Sequence, residues 1–276
     1  MDYSLLDEHL EKMEPYFKKW IREYNIMLLD SSLESAKYEV SIDATFNPKD
    51  AICQQYMYSI YNAFRELVRT YCYSTSAYSI EKELRDKEEI AWSNYWKYEI
   101  KNYYFRSIIP RYFSILDYIA VMINEISKQK LIPNIRIVDF KKMMDKLVSL
   151  KDMESVGWLT EKDIKEIKEI FNDIQSSITS EERKILRDYR NKETHRYLIG
   201  IDEITVSTHK RRLTKKEKEL YKLKGDYAYS FKGKPEIEFS KLNTIVEKLI
   251  NNLDLVISKL LELDIMKNVL VIRKDD

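Results

Sequence analysis

The chain has 276 residues, 44% of them hydrophobic and 34% charged, with 47 Lys and Arg against 46 Asp and Glu. A balance so close to neutral excludes a protein that holds nucleic acid through a global positive field, so any such contact must come from a local patch. Four glycines and five prolines leave too little turn material for a β-sandwich or barrel, and two cysteines outside any C-x-x-C pair exclude a disulfide scaffold and disfavour zinc.

The opening stretch MDYSLLDEHLEKMEPYF is acidic and lacks the apolar core of a signal peptide. Over residues 4–30, Leu5, Leu6, Leu10, Met13, Phe17 and Trp20 recur at helical spacing. The polar run 30–48 reads as turns, with a short strand around 38–42. Pro48, suited to a first helical turn, opens a helix expected to reach about Tyr73 through Ile52, Tyr56, Ile60, Phe64 and Leu67. The hydroxyl-rich STSAYS at 74–79 is expected to break that helix, so residues 1–80 read as a helical extension packed on a bundle of residues 81–276.

Residues 80–128 are the most aromatic part of the chain and keep a helical period, with Pro110 as an expected kink or division. Such a stripe either stacks bases or forms core and subunit contacts. Its most apolar run, SIIPRYFSILDYIAVMI, is interrupted by Arg111 and Asp117 and falls short of a membrane span, so a cytoplasmic protein without membrane contact is expected. Pro133 marks a loop. Amphipathic segments follow at 136–150 and 160–175, and Thr179 with Glu182 forms a capping-box pattern at the start of a helix of roughly 180–198, closed at Gly200. Between 201 and 239, near-alternating Ile201, Ile204 and Val206, then Tyr227, Tyr229 and Phe231, indicate a small β-ribbon inserted before the last helix. The ribbon carries a basic arm, HKRRLTKKEKELYKLK. The final helix, 240–264, is strongly amphipathic from Leu242 to Leu261. The fold class is therefore mainly α, a helical bundle with one β insertion.

Within RDYRNKETHRYLIG, at 100° per residue, Arg187, Asn191 and His195 share one face, flanked by Arg183, Arg190 and Thr194. Ile185, Leu186 and Tyr189 fall opposite and supply the core contact. A helix showing Arg, Asn and His to water is ordinary, and a histidine near a helix C-terminus is favoured electrostatically whatever its role. Several phosphate-directed donors and an imidazole on one anchored face are also what phosphoryl chemistry needs.

Asn191 directly after Arg190, and four residues between Arg190 and His195, resemble the R-x(4–6)-H signature of the HEPN superfamily (higher eukaryotes and prokaryotes nucleotide-binding domains). The resemblance covers about 85–265 and implies a HEPN-like helical bundle with its motif on a late helix. It also implies a metal-independent endoribonuclease with no cofactor and no metal ligands, of the toxin, phage-defence or RNA-processing type. The 2′-OH of RNA attacks the adjacent phosphate, leaving 2′,3′-cyclic phosphate and 5′-OH ends. His195, with an ordinary pKa of about 6.5, suits proton transfer near neutrality. Arg190 would clamp the phosphate through paired donors, and Asn191 would orient the phosphate or His195. Arg187 and Thr194 on the helix, with Lys210, Arg211 and Arg212 in the arm, are the expected RNA contacts, although such an arm is also what a solvated insertion tip looks like. Because each chain offers one motif histidine, the resemblance implies a homodimer with a composite site. An antitoxin or nucleotidyltransferase partner is a further expectation. The alternative is a HEPN-like module that binds nucleotides or a partner without catalysis.

Overall fold

A computed structural model describes residues 3–23, 47–150, 155–195, 201–202, 207–232 and 237–267. The expected strand around 38–42 and the helix end at Gly200 lie outside them.

Helix α1 (Tyr3–Glu23) lies on α2 (Pro48–Asp86). Pro48 does open α2, and Asn47 caps it by accepting the Lys49 N–H at 3.1 Å. The helix does not stop at STSAYS. Thr75 and Ser79 turn their hydroxyls onto the carbonyls of Tyr71 and Thr75, and Ser76 onto that of Cys72. Ser74, also buried, donates to Lys101 O at 3.1 Å. Three of these hydroxyls are satisfied within the helix and the fourth by the carbonyl of Lys101, so none needs a break. Residues 80 and 81, where the sequence suggests a boundary, therefore fall within one helix, and α2 feeds both hydrophobic clusters.

Directly after α3 (Ile90–Tyr95), the backbone passes through a π-helical segment (Trp96–Lys101) into α4 (Asn102–Arg106). The chain divides before α5 (Ile108–Ile126), which carries Pro110 in its first turn. Most of the aromatic stripe is structural: Trp96, Phe105 and Tyr112 are buried, whereas Trp92 and Tyr103 face solvent. The loop at Pro133 is pinned from inside, since buried Asn124 donates to Ile132 O and accepts from Ile132 N, at 2.9 and 3.0 Å. Gly157, at φ +66°, sits so tightly on Ser127 that a Cβ would fall 2.4 Å from its carbonyl carbon.

Helices α6 (Phe140–Ser149), α7 (Glu161–Ser176) and α8 (Ser180–His195) follow. Thr160 and Asp163 form a capping box on α7, and Thr179 and Glu182 form one on α8, with Thr179 N–H donating to Glu182 at 2.8 Å. The insertion is more than a ribbon. Strand β1 (Ser207–Arg212) pairs antiparallel with β2 (Tyr227–Lys232), but the basic arm between them contains a helix, α9 (Lys215–Leu220), with its own capping box. Thr214 and Glu217 supply that cap, a local pattern strong enough to turn the arm helical. Of the expected alternating strand at 201–206, Ile201 makes an isolated bridge to Ile237, and 203–206 lie outside the described residues.

Helix α10 (Phe239–Glu262) closes the bundle, burying Leu242, Val246, Leu249, Leu253 and Ile257 against α2, α5 and α7. Cys53 and Cys72 are buried in this core, and burial pushes their thiols up to about 11 and about 12, so neither is a nucleophile at neutral pH. Among the described residues, no helix is long and apolar enough to cross a membrane.

Candidate active site

Helix α8 is held from behind. Leu186 and Tyr189 are fully buried and Ile185 packs against the same core. Its first turn is tied to α10 by Lys248–Glu182 at 2.7 Å and Lys241–Glu181 at 3.5 Å. Arg183 does not face outward as the helical wheel suggests. Its guanidinium donates to the carbonyls of Gln175 and Ile178, closing the C-terminal end of α7.

With Leu186 and Tyr189 inward, the same helix carries Arg187 and Asn191 in solvent and Arg190 half-buried. The Arg190 guanidinium carbon stands 4.7 Å from the centroid of the Phe113 ring on α5. The half-buried Asp117 carboxylate lies one turn further along α5. Burial pushes its carboxyl up, while the Phe140 N–H, donated at 3.1 Å, and the charge of Arg190 pull it back without cancelling the rise.

Arg187 and Arg190 border a cleft of about 760 Å³ between α5, α6, α7 and α8. Its floor is apolar, made by Leu116, Ile178 and Leu186, and its walls include Phe113, Phe140 and Met144. Phe140 is fixed there by a face-to-face stack on Phe171, centroids 4.6 Å apart. Several of the cleft's charges are already engaged. Arg183 serves α7, and Asp139 caps α6 while pairing with Lys142 at 3.1 Å. Arg187 and Lys141 form no ion pair among the described residues, and both are exposed.

The helix reaches His195, and Arg187, Asn191 and His195 follow one another at four-residue spacing on it. Thr194 and His195 belong to its last turn and Lys210 to β1, but their side chains lie outside the described residues. Arg211 is less available than its sequence suggests. It clasps Glu217, which that pairing and Thr214 hold down at about 2. Arg212 is exposed. Neither Arg211 nor Arg212 lines the cleft.

Sequence reasoning missed Phe113, Asp117 and the cleft itself, because these belong to α5 and α6 and meet α8 only in the folded chain. It also missed Lys101. That side chain is fully buried at the end of the π-segment, its Nζ 2.8 Å from Asp202 and 4.2 Å from the centroid of Phe239. Neighbouring Asn102, also buried, donates to Ile201 O at 2.9 Å, and Asp202 accepts the Phe239 N–H at 2.9 Å. Lys101 closes the π-segment and Asn102 opens α4, and together they hold Ile201 and Asp202 at the start of the insertion. Among the described residues, no three His, Cys, Asp or Glu side chains are grouped to hold a metal ion. Compared with protein-family models, with curated proteins and with solved structures, the chain matches none.

Proposed function

We propose that this chain is a metal-independent endoribonuclease of the HEPN type, with Arg190, Asn191 and His195 as its catalytic residues. The observation that carries the reading is the setting of Arg190, half-buried against Phe113 at the edge of a cleft, on a core-anchored helix that continues to His195. A guanidinium ordered by an aromatic face keeps its fork in place before substrate arrives, so less is lost in clamping a phosphate. It would stabilise the extra charge of the phosphorane as the 2′-OH attacks. His195 moves the proton, taking it from the 2′-OH or delivering it to the departing 5′ oxygen. Since in-line transfer needs both events, two copies of the α8 face meet across a two-fold axis in this reading, and each supplies one histidine. Arg187 adds a phosphate contact, and RNA is the partner.

The test is incubation of wild type and His195→Ala with a structured RNA pool in EDTA, with mapping of the cleaved ends. Cyclic-phosphate ends produced by wild type alone, with folding and association unchanged in the variant, are expected. Equal cleavage by both proteins would remove His195 from the chemistry. Cleavage by neither would turn the reading towards a binding module.

A further inference from the structure

The cleft beside Arg190 has the size of a small-ligand site, about 760 Å³ in a range of roughly 300–1,000 Å³ for such sites. Its lining combines three kinds of group. On the α8 side, Arg187 and Arg190 present guanidinium groups, and Arg190 is already seated on an aromatic ring. Leu116, Met144 and the ring of Phe140, itself stacked on Phe171, give the lining its apolar part. Asp117 on α5, half-buried and within reach of the Arg190 charge, also lines the cleft, one oxygen accepting the Phe140 N–H. Phosphate donors, an apolar lining and an acceptor-only carboxylate are the three parts that recognise a nucleotide. Arg187 and Lys141, exposed and in no ion pair among the described residues, add positive charge that suits a phosphate.

We propose that this cleft is a base-reading subsite that takes one guanine nucleotide, its phosphate at Arg187 and Arg190, its ring on Met144 and Phe140, and its Watson–Crick edge at Asp117. The choice of guanine follows from the acceptor. A carboxylate has no donor to give, and guanine alone among the four bases offers two adjacent N–H donors, N1–H and N2–H, on that edge. The inference rests on the ribonuclease reading for the polymer that carries the nucleotide, but the subsite is tested without cleavage.

The full chain is titrated by calorimetry with 3′-GMP, 3′-AMP, 3′-CMP and 3′-UMP, as wild type, Asp117→Asn and Met144→Trp. Asparagine keeps the shape and an oxygen for the Phe140 N–H, while tryptophan at half-buried Met144 adds bulk to the cleft lining. Wild type is expected to bind 3′-GMP about ten-fold more tightly than the others, as a site built to pair a specific polar edge does. Asp117→Asn should bring the four within about two-fold, and Met144→Trp should weaken all of them by about ten-fold with an unchanged melting temperature. Equal affinity for the four nucleotides, no binding, or a guanine preference that survives Asp117→Asn overturns the proposal. Cleavage that requires His195 in a protein lacking this preference leaves the ribonuclease reading standing without the subsite. Guanine binding that requires Asp117, beside cleavage indifferent to His195, does the reverse.

Discussion

Removing the two partners of the Lys101–Asp202 pair should cost unequal amounts, and the inequality follows from their surroundings. In Asp202→Asn, the Lys101 ammonium keeps 0% exposure and is left with a neutral amide and two ring faces, Phe239 at 4.2 Å and Tyr78 at 5.9 Å. Stripping a buried ion of its counter-charge costs about 3–5 kcal/mol; the cation–π contacts are there before and after the change, and the amide oxygen keeps the cost at the lower end. A net loss of about 3 kcal/mol is expected. In Lys101→Met, the abandoned carboxylate is 21% exposed and still accepts the Phe239 N–H, so water reaches it. Its loss should be about 1–2 kcal/mol. Replacing both partners removes the stranded charge, so the double variant should be more stable than Asp202→Asn alone. The pH dependence carries the sign. Burial draws Lys101 below its ordinary value even with Asp202 beside it, and Asp202→Asn removes the interactions that oppose the fall. With the folded pKa below the unfolded one, the unfolded chain holds more protons between them, and stability rises with pH across that window by at most about 1.4 kcal/mol per unit. Urea unfolding, followed through buried Trp96, at pH 7, 8 and 9 measures all three variants. A Lys101→Met loss equal to that of Asp202→Asn, or an Asp202→Asn deficit that grows as the pH rises, refutes the reasoning.

Phe113→Leu keeps apolar volume under Arg190 but removes the ring face. It should lower RNA cleavage by about 2–5-fold, the equivalent of a half-exposed cation–π contact, whereas Arg190→Ala should cost about 100-fold or more. Equal rates for Phe113→Leu and wild type would show that the ring does not position Arg190. Gly157→Ala meets both a left-handed backbone and the Ser127 carbonyl carbon at 2.4 Å, so a loss of about 2–4 kcal/mol is expected in the urea midpoint. If the arm touches RNA, Arg212→Ala should reduce the salt slope of binding by about 1. Arg211→Ala should reduce it less, because Glu217 already neutralises that side chain. Filter binding over a series of salt concentrations distinguishes the two.

The parts of the fold that sequence foretold depend on neighbours within one turn. Pro48 at a helix start and the reciprocal Thr179–Glu182 bonds need nothing outside their own few residues, and the core stripe of the last helix appears as its period. STSAYS misleads for the opposite reason. Its hydroxyls can end a helix or bond back into one, and the choice is made by what surrounds them. Tyr71 and Cys72 just before, Ala77 within and Ile80 just after are buried, so the segment is carried through the core as helix. The same long-range dependence hides half of the candidate site. Arg187 and Arg190 could be placed by helical arithmetic alone, yet the ring that seats Arg190 and the carboxylate across the cleft sit on another helix, more than seventy residues earlier.

Lys101 is the sharper case. In sequence it is one more lysine in an aromatic, basic-studded run, and its helical position suggests solvent. A π-turn, which costs hydrogen-bond geometry and leaves no signature in composition, rotates it inward to a carboxylate 101 residues away. An apolar side chain there would fill the space more cheaply. The pair does something an apolar contact does not: Asp202 spends one oxygen on Lys101 and the other on the Phe239 N–H, so one carboxylate joins the π-segment, the start of the insertion and the first turn of the last helix. The ion pair therefore ties three separate segments together through one carboxylate, a set of directed bonds that a pair of methionines does not have.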